Sequence, residues 1–307
     1  MRIAVTGSSG LVGRALVAVL RGRGDEVFCV SRSGGSELRW SPDGDVQLEP
    51  ADGGGLDAVV HLAGAPIAGK RWTAAYKREL EDSRVAGTRA LVRGLGRLGR
   101  APRVLVSASA VAVYGSDCGD AVQSEDCVPE AALAARTGCD FLTGLATGWE
   151  REAFGARAAG VERVVTMRIG IVLAPDGGAL ERLVPVFRLG LGGRLGKGSQ
   201  WMSWIALGDL VRALVFALDE AALDGPVNAV APEPVTNAEF TRGLAAELGR
   251  LAFAHVPGFA LRALVGEFAG AALLVSHRVA PTRLLAAGFE FGSAELRAGL
   301  AAELGGE

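Results

Sequence analysis

The segment "VTGSSGLVGRAL", residues 5 to 16, sets Gly7, Gly10 and Gly13 three residues apart. A strand-like run leads into it and a helix-like run follows. In that context the spacing is the chemistry of a phosphate cradle. Gly7 permits a tight strand-to-helix turn. Gly10 lets the backbone approach a pyrophosphate with no Cβ in the way, and Gly13 lets the helix pack close to a sheet. The helix N-terminus then presents unpaired N–H groups and the positive end of its dipole.

The end of the second strand-like run selects between dinucleotides. An acidic residue there would accept a hydrogen bond from a ribose 2′-OH. The sequence reads "VSRSGG" instead. The Ser31 hydroxyl and the Arg32 guanidinium suit a 2′-phosphate. NADP(H) is therefore the expected cofactor.

Other reactive groups are sparse. Cys29, Cys118, Cys127 and Cys139 form no C-x-x-C pair and have no His near them in sequence. Reduced thiols and no metal are expected. His61, inside the apolar run "AVVHLAG", reads as a packed, hydrogen-bonded imidazole. Ser109 closes the run "RVLVSASA", and Tyr114 follows in "VAVYG". Both hydroxyls would border one pocket. A structural reading stands beside each: a strand-end hydroxyl for Ser109, loop packing for Tyr114. Lys70 and Arg71 reach that pocket or stay solvated. Trp72, Trp201 and Trp204 wall it or belong to the core.

The elements that must position these groups alternate. "RIAVTG", "EVFCVSR", "LDAVVHLAG", "RVLVSASA" and "ERVVTMRIGIVL" read as strands. The third is apolar without alternation, as a strand buried on both faces requires. Between the first two, Val12, Leu16, Val19 and Leu20 lie on one helical face. Residues 73 to about 99 read as one long helix. After Pro175 the texture turns glycine-rich, then returns to a clean helix in "GDLVRALVFALDE". Asp209 is expected to cap that helix, and Thr236 or Asn237 the next, with Glu239 in its first turn.

The expected fold class is α/β: a Rossmann-type, doubly wound parallel sheet with helices on both faces. A smaller, mostly helical C-terminal substrate region completes it. The expected division is residues 1–172 for the dinucleotide and 173–307 for a substrate region or lid, with the helix at 208–220 packing back on the first.

Half of the 307 residues are hydrophobic, the net charge is −2 and the pI is near 6.0. Nothing in the overall charge points to nucleic acid or a membrane as partner. No apolar run is long enough to span a bilayer. The first residues enter a strand directly, so no secretory signal and a cytoplasmic location are expected.

"TGSSGLVG", "HLAGAPIAGKRW" and "SASAVAVYG", in this order, resemble the extended type of the short-chain dehydrogenase/reductase superfamily. "SRVAGT", "RIGIVLAPDGGAL", "FRLGLGG" and "RLLAAGFEF" bring the resemblance closer to its NAD-dependent epimerase/dehydratase-like branch, which has its own C-terminal domain. The likeness covers nearly the whole chain. It implies that Thr6, Gly7, Ser9, Gly10, Leu11, Val12 and Gly13 hold the pyrophosphate. Ser31 and Arg32 would hold the 2′-phosphate. Leu62, Ala63 and Gly64 would lie by the ribose and adenine. Glu79 and Arg84 would reach the cofactor, and Val172 the carboxamide side of the nicotinamide.

Typical members add a Ser or Thr that polarises the substrate, here Ser109 by position. They also carry a Tyr that exchanges the proton and, four residues on, a Lys that lowers its pKa. "CDFLTGLATGWE" has neither. Aligning on Glu150 puts Leu142 and Ala146 in their places. Many relatives also have a His where Ala206 stands. Three functions remain: an NADPH-dependent oxidoreductase acting on a small molecule, with Ser109 and Tyr114 as candidate catalytic groups; non-redox epimerase, dehydratase or cyclase chemistry in the same pocket; or a non-enzymatic NADP(H)-binding regulator. The first leads. The oligomeric state stays open.

Overall fold

The computed structural model describes residues 1–31, 38–40, 46–116, 119–128, 130 and 140–305. Arg32, Cys118 and Cys139 lie outside the described residues.

The first half alternates as its periodicity requires: β1 (Arg2–Thr6), α1 (Leu11–Gly22), β2 (Glu26–Ser31), β3 (Leu38–Trp40), β4 (Val46–Gln47), β5 (Ala58–His61), α2 (Ala74–Glu81), α3 (Gly87–Leu95), β6 (Val104–Ala110), α4 (Phe141–Phe154) and β7 (Arg163–Ile169). β8 (Ile171–Ala174) and α5 (Gly178–Arg188) open the second half. β9 (Gly193–Leu195), β10 (Trp201–Met202), β11 (Trp204–Ala206), α6 (Leu207–Asp219) and β12 (Gly225–Ala229) follow.

Among the described residues the main sheet runs β12-β7-β6-β5-β1-β2-β3-β4. Its pairs are parallel except β3 with β4. Strand order reverses between β1 and β5, which makes a crevice beyond their carboxyl ends. Alternate residues of β1 face opposite layers. Ile3 and Val5 pack with Leu16, Leu20, Leu210 and Leu214 of α1 and α6. Ala4 packs on the other side with Leu91, Leu95 and Phe154 of α3 and α4. α6 thus packs on the first layer, and β12 adds the edge strand beside β7.

The long helix expected at 73–99 is interrupted. Between α2 and α3 the chain takes one π-helical turn, Asp82–Ala86. Such turns insert a residue and re-aim side chains. Asp209 does not cap α6: Ala206 holds the cap position without a side-chain bond. The Asp209 carboxylate instead accepts from the Gly292 and Ser293 backbone N–H groups at 2.9 and 2.8 Å. It ties the chain's last segment to α6, a contact that local sequence does not encode.

The C-terminal region has its own core around Trp204, Phe240, Leu244 and Leu300. β13 (Val235–Thr236) leads into α7 (Asn237–Glu247); of the two expected caps Thr236 takes the position, and it forms a reciprocal capping pair with Glu239. β14 (Ala254–Val256), α8 (Gly258–Val265), α9 (Thr282–Ala286) and α10 (Leu296–Leu304) complete this mostly helical part. Trp204 is therefore core. Trp201 donates its indole N–H to Asp120 at 2.8 Å.

Candidate functional site: a dinucleotide cleft

Gly7 adopts φ +69°, and a Cβ there would stand 2.7 Å from the Leu62 carbonyl carbon and 2.8 Å from the Ala63 nitrogen. The loop after β1 therefore lies directly on the backbone that leaves β5. Gly13 is tighter still: its Cβ would be 2.1 Å from the Gly7 oxygen. Gly10 differs. Only the Gly7 oxygen, at 3.3 Å, comes near its missing Cβ. Two glycines are thus demanded by the fold itself, and the third, at the N-terminus of α1, is approached from one side alone, by the Gly7 oxygen. Its open side is where a pyrophosphate would sit.

The other residues named for the loop divide by role. The Ser9 carbonyl accepts from Arg14 at 3.0 Å. The Leu11 side chain abuts Gly177 at the start of α5. Val12, Leu62 and Val172 pack partly buried against the core beneath. Thr6 turns inward: its hydroxyl shares a hydrogen bond of 2.7 Å with His61 Nδ1 and accepts from the Ala63 N–H at 3.3 Å. The second His61 nitrogen meets the Thr88 hydroxyl at 2.9 Å. His61 is the packed imidazole its apolar run predicts. Ser31 ends β2 beside Arg39 of β3.

Burial keeps His61 neutral and pulls its pKa down to about 3. The unfolded chain takes up this proton near pH 6.5, the folded chain only near pH 3. The stabilisation is complete above 6.5 and is lost as pH falls, by about 1.4 kcal/mol per unit. Urea midpoints at pH 7 and 5 should therefore diverge more for wild type than for His61→Gln; equal divergence would exclude this source.

Glu79 and Arg84 part company. Glu79 is exposed and pairs with Lys70 at 3.0 Å. Arg84 stands on the π-helical turn with its guanidinium 5.1 Å from the centre of the Trp149 ring. The Cζ lies 3.2 Å from where a Gly64 Cβ would be. Its Nη1 is buried with no hydrogen-bond partner. Burial lowers its pKa to about 10, so it stays charged at neutral pH. A buried charged donor left unpaired costs about 1–3 kcal/mol or more, which a bound anion would recover. Gly64 directly follows the Ala63 on which Gly7 rests, so this cation belongs to the crevice.

Ser109 and Tyr114 come together, inside a buried polar network. The Ser109 hydroxyl donates to Glu150 at 2.6 Å. Glu150 accepts from Arg168 Nε and Nη2, both at 2.8 Å, and both side chains are fully buried. Arg168 also donates to the Val128 carbonyl at 2.6 Å and to the Tyr114 oxygen at 3.1 Å. Tyr114 donates to Asn228 Oδ1 at 2.7 Å. Burial raises the phenol's pKa well above its ordinary value, against the pull of Arg168. It is protonated at any physiological pH. Burial would lower the Arg168 pKa, but the bidentate Glu150 pair raises it.

On α4, Asp140 caps the first turn by accepting from the Leu142 and Thr143 N–H groups, both at 3.1 Å. Ala146 is buried against the sheet-side core. Leu142 and Leu145 join Trp72, Tyr76, Ile67 and Phe268 in an apolar cluster. Trp72 contacts Phe141 and Phe268 edge-on at 5.3 and 5.6 Å. Thus the helix offers hydrocarbon where a Tyr and Lys would otherwise stand. Trp149 and the Glu150–Arg168 pair are the site's unforeseen members. The visible signal for the pair was a lone Arg in the apolar strand "VVTMRIGIV". Two surface cavities, one lined by Pro50, Leu56 and Leu98 and one by Val104, Arg163 and Leu218, lie at the amino ends of the strands, away from this crevice.

A parallel sheet with a switch point, a glycine loop on it and a helix N-terminus over it define a dinucleotide-binding α/β protein. The chain belongs to the NAD dependent epimerase/dehydratase family, whose model matches residues 3–230. A domain of unknown function, DUF1731, matches residues 256–303. An epimerase family protein of Mycobacterium bovis is 42% identical over 292 residues, 94% of this chain and 93% of that protein. The epimerase family protein SDR39U1 of Mus musculus is 36% identical over 305 residues, 98% of each. A crystal structure of human SDR39U1 with NADPH is 34% identical, with TM-score 0.87 and full coverage of both chains. A nucleoside-diphosphate sugar epimerase from Corynebacterium glutamicum is 35% identical with TM-score 0.77; it covers all of this chain and 59% of its own.

Proposed function

We propose that this protein binds NADP(H) in the crevice above β1 and β5 and orients it for hydride transfer with a small molecule held between α4 and the C-terminal region. The carrying observation is Arg84, a buried charge with an unpartnered N–H beside the glycine loop. The glycine loop fits a pyrophosphate, and the human relative holding NADPH supports the choice of cofactor. When bound, the nicotinamide supplies or accepts the hydride. The chain's own residues do the rest. The α1 N-terminus and Arg84 take negative charge, and the cluster around Trp72 and Leu145 gives the substrate an apolar wall.

The Ser109 and Tyr114 hydroxyls are engaged by Glu150, Arg168 and Asn228, so water supplies the proton that neutralises the alkoxide formed by hydride addition to a carbonyl. The same engagement favours a second reading, NADP(H) binding without turnover. Fluorescence titration distinguishes the parts. NADPH should bind much more tightly than NADH, and Arg32→Asp should erase that preference. Arg84→Gln should weaken NADPH by about tenfold or more, as expected for a charge-assisted bond. Undiminished affinity in Arg84→Gln removes the carrying observation. NADPH oxidation across a panel of carbonyl compounds then separates the two readings: steady turnover supports hydride transfer, and its absence throughout supports binding alone.

A further inference from the structure

The C-terminal region carries an apolar patch that the cofactor site does not use. Leu189, Leu191, Leu251 and Phe253 are 75, 64, 68 and 84% exposed. They belong to two neighbouring turns. Gly193 pairs with Ala254 where β9 and β14 begin, which sets the residues just before these strands side by side. The Arg250 side chain donates to the Arg188 carbonyl at 3.0 Å and ties the turns together. Each turn bends at a glycine with positive φ, Gly190 at +73° and Gly249 at +61°. A Cβ at either would meet nothing within 4 Å. The turns are thus open to solvent at these glycines, and the four exposed side chains lie beside them.

The chain flanking the two turns is mostly basic. Residues 186–199 and 249–256 contain Arg188, Arg194, Lys197 and Arg250 and no Asp or Glu, and Glu247 at the end of α7 is the one acid adjoining them. The whole chain, by contrast, has a net charge of −2. A contiguous apolar patch on a soluble surface marks an interaction site. Cations around it require a negatively charged occupant. A symmetric second copy would bring like charges together and is disfavoured. Leu and Phe tips flanked by Arg188 and Arg250 match the boundary between acyl chains and anionic headgroups.

We propose that these two turns dock the protein peripherally on an anionic lipid surface, with Leu189, Leu191, Leu251 and Phe253 inserted to headgroup depth. The overall net charge misses this, because screening confines electrostatic attraction to charges within about 10 Å of the surface.

The test is co-sedimentation of the full chain with phosphatidylcholine vesicles, with and without 30% phosphatidylglycerol by design, a share of about one lipid in three. Expected is binding to the anionic vesicles that weakens with salt. Arg194→Glu should reduce it by at least about fivefold. Leu189→Ser with Phe253→Ser should reduce it by about a hundredfold, or abolish it, with unchanged NADPH affinity as the folding control. No sedimentation with anionic vesicles overturns the proposal. So does equal binding by the serine variant, which would reduce the effect to unspecific charge attraction. Concentration-dependent dimers that the serine variant abolishes would also overturn it, assigning the patch to a second copy.

Discussion

Gly13→Ala is expected to abolish NADPH binding and to cost about 3 kcal/mol of stability, the upper end for overpacking a tight site. The added Cβ would stand 2.1 Å from the Gly7 oxygen and 2.8 and 2.9 Å from the Ser8 Cα and the Gly7 carbonyl carbon. All three are backbone atoms, so no rotamer change relieves them. Either α1 moves off the loop, or the loop moves off the Leu62–Ala63 backbone on which Gly7 rests. Both displace the N–H groups at the helix N-terminus that would meet the phosphates. Gly10→Ala isolates the binding part. Its Cβ meets only the Gly7 oxygen, at 3.3 Å, and its φ of −75° suits any residue. That variant should unfold at nearly the wild-type urea concentration yet bind NADPH far more weakly, because its methyl group enters the space the pyrophosphate needs. Wild-type NADPH affinity in both variants would falsify the placement of the cofactor on this loop.

Arg168→Met should be the most destabilising change outside the loop, at about 3–5 kcal/mol. Among the described residues it leaves Glu150 fully buried with one remaining partner, the Ser109 hydroxyl. It also removes the donors to the Val128 carbonyl and the Tyr114 oxygen. The cost arises from stranding a charge, so Arg168→Met combined with Glu150→Leu should recover a large part of it. Ser109→Ala, which leaves the ion pair intact, should cost only about 1 kcal/mol. Denaturant midpoints of the four proteins check this order. A single Arg168→Met variant as stable as Ser109→Ala would mean that water reaches Glu150. The comparison bears on function as well. Where the pair mainly holds β6, β7 and α4 together, Tyr114→Phe lowers stability and leaves NADPH affinity unchanged.

Much of the fold is legible along the chain because its signals are local. Three glycines within seven residues, apolar runs without alternation, and helical faces repeating every three or four residues specify the sheet, the loop and the helices over it. The cap before α7 spans only three residues and is legible to within one position, Thr236 or Asn237. The missing Tyr and Lys of α4 are legible too, since absence needs no partner. The π-helical turn at Asp82–Ala86 is not. Its residues look helical, and only packing against Gly64 and Trp149 distinguishes the extra residue.

The sequence by itself determined the phosphate loop, the sheet that carries it and the loss of the usual proton-transfer pair. Tertiary structure alone decided what the remaining hydroxyls do. Ser109 meets Glu150 across 41 residues of chain, and Tyr114 meets Asn228 across 114. The physical reason is that a hydroxyl's role follows from the atom it faces, and that atom is set by how strands and helices pack. Periodicity fixes the face of an element on which a side chain lies. It does not fix the partner waiting there, and here a buried ion pair holds the hydroxyls of both candidate reactive groups.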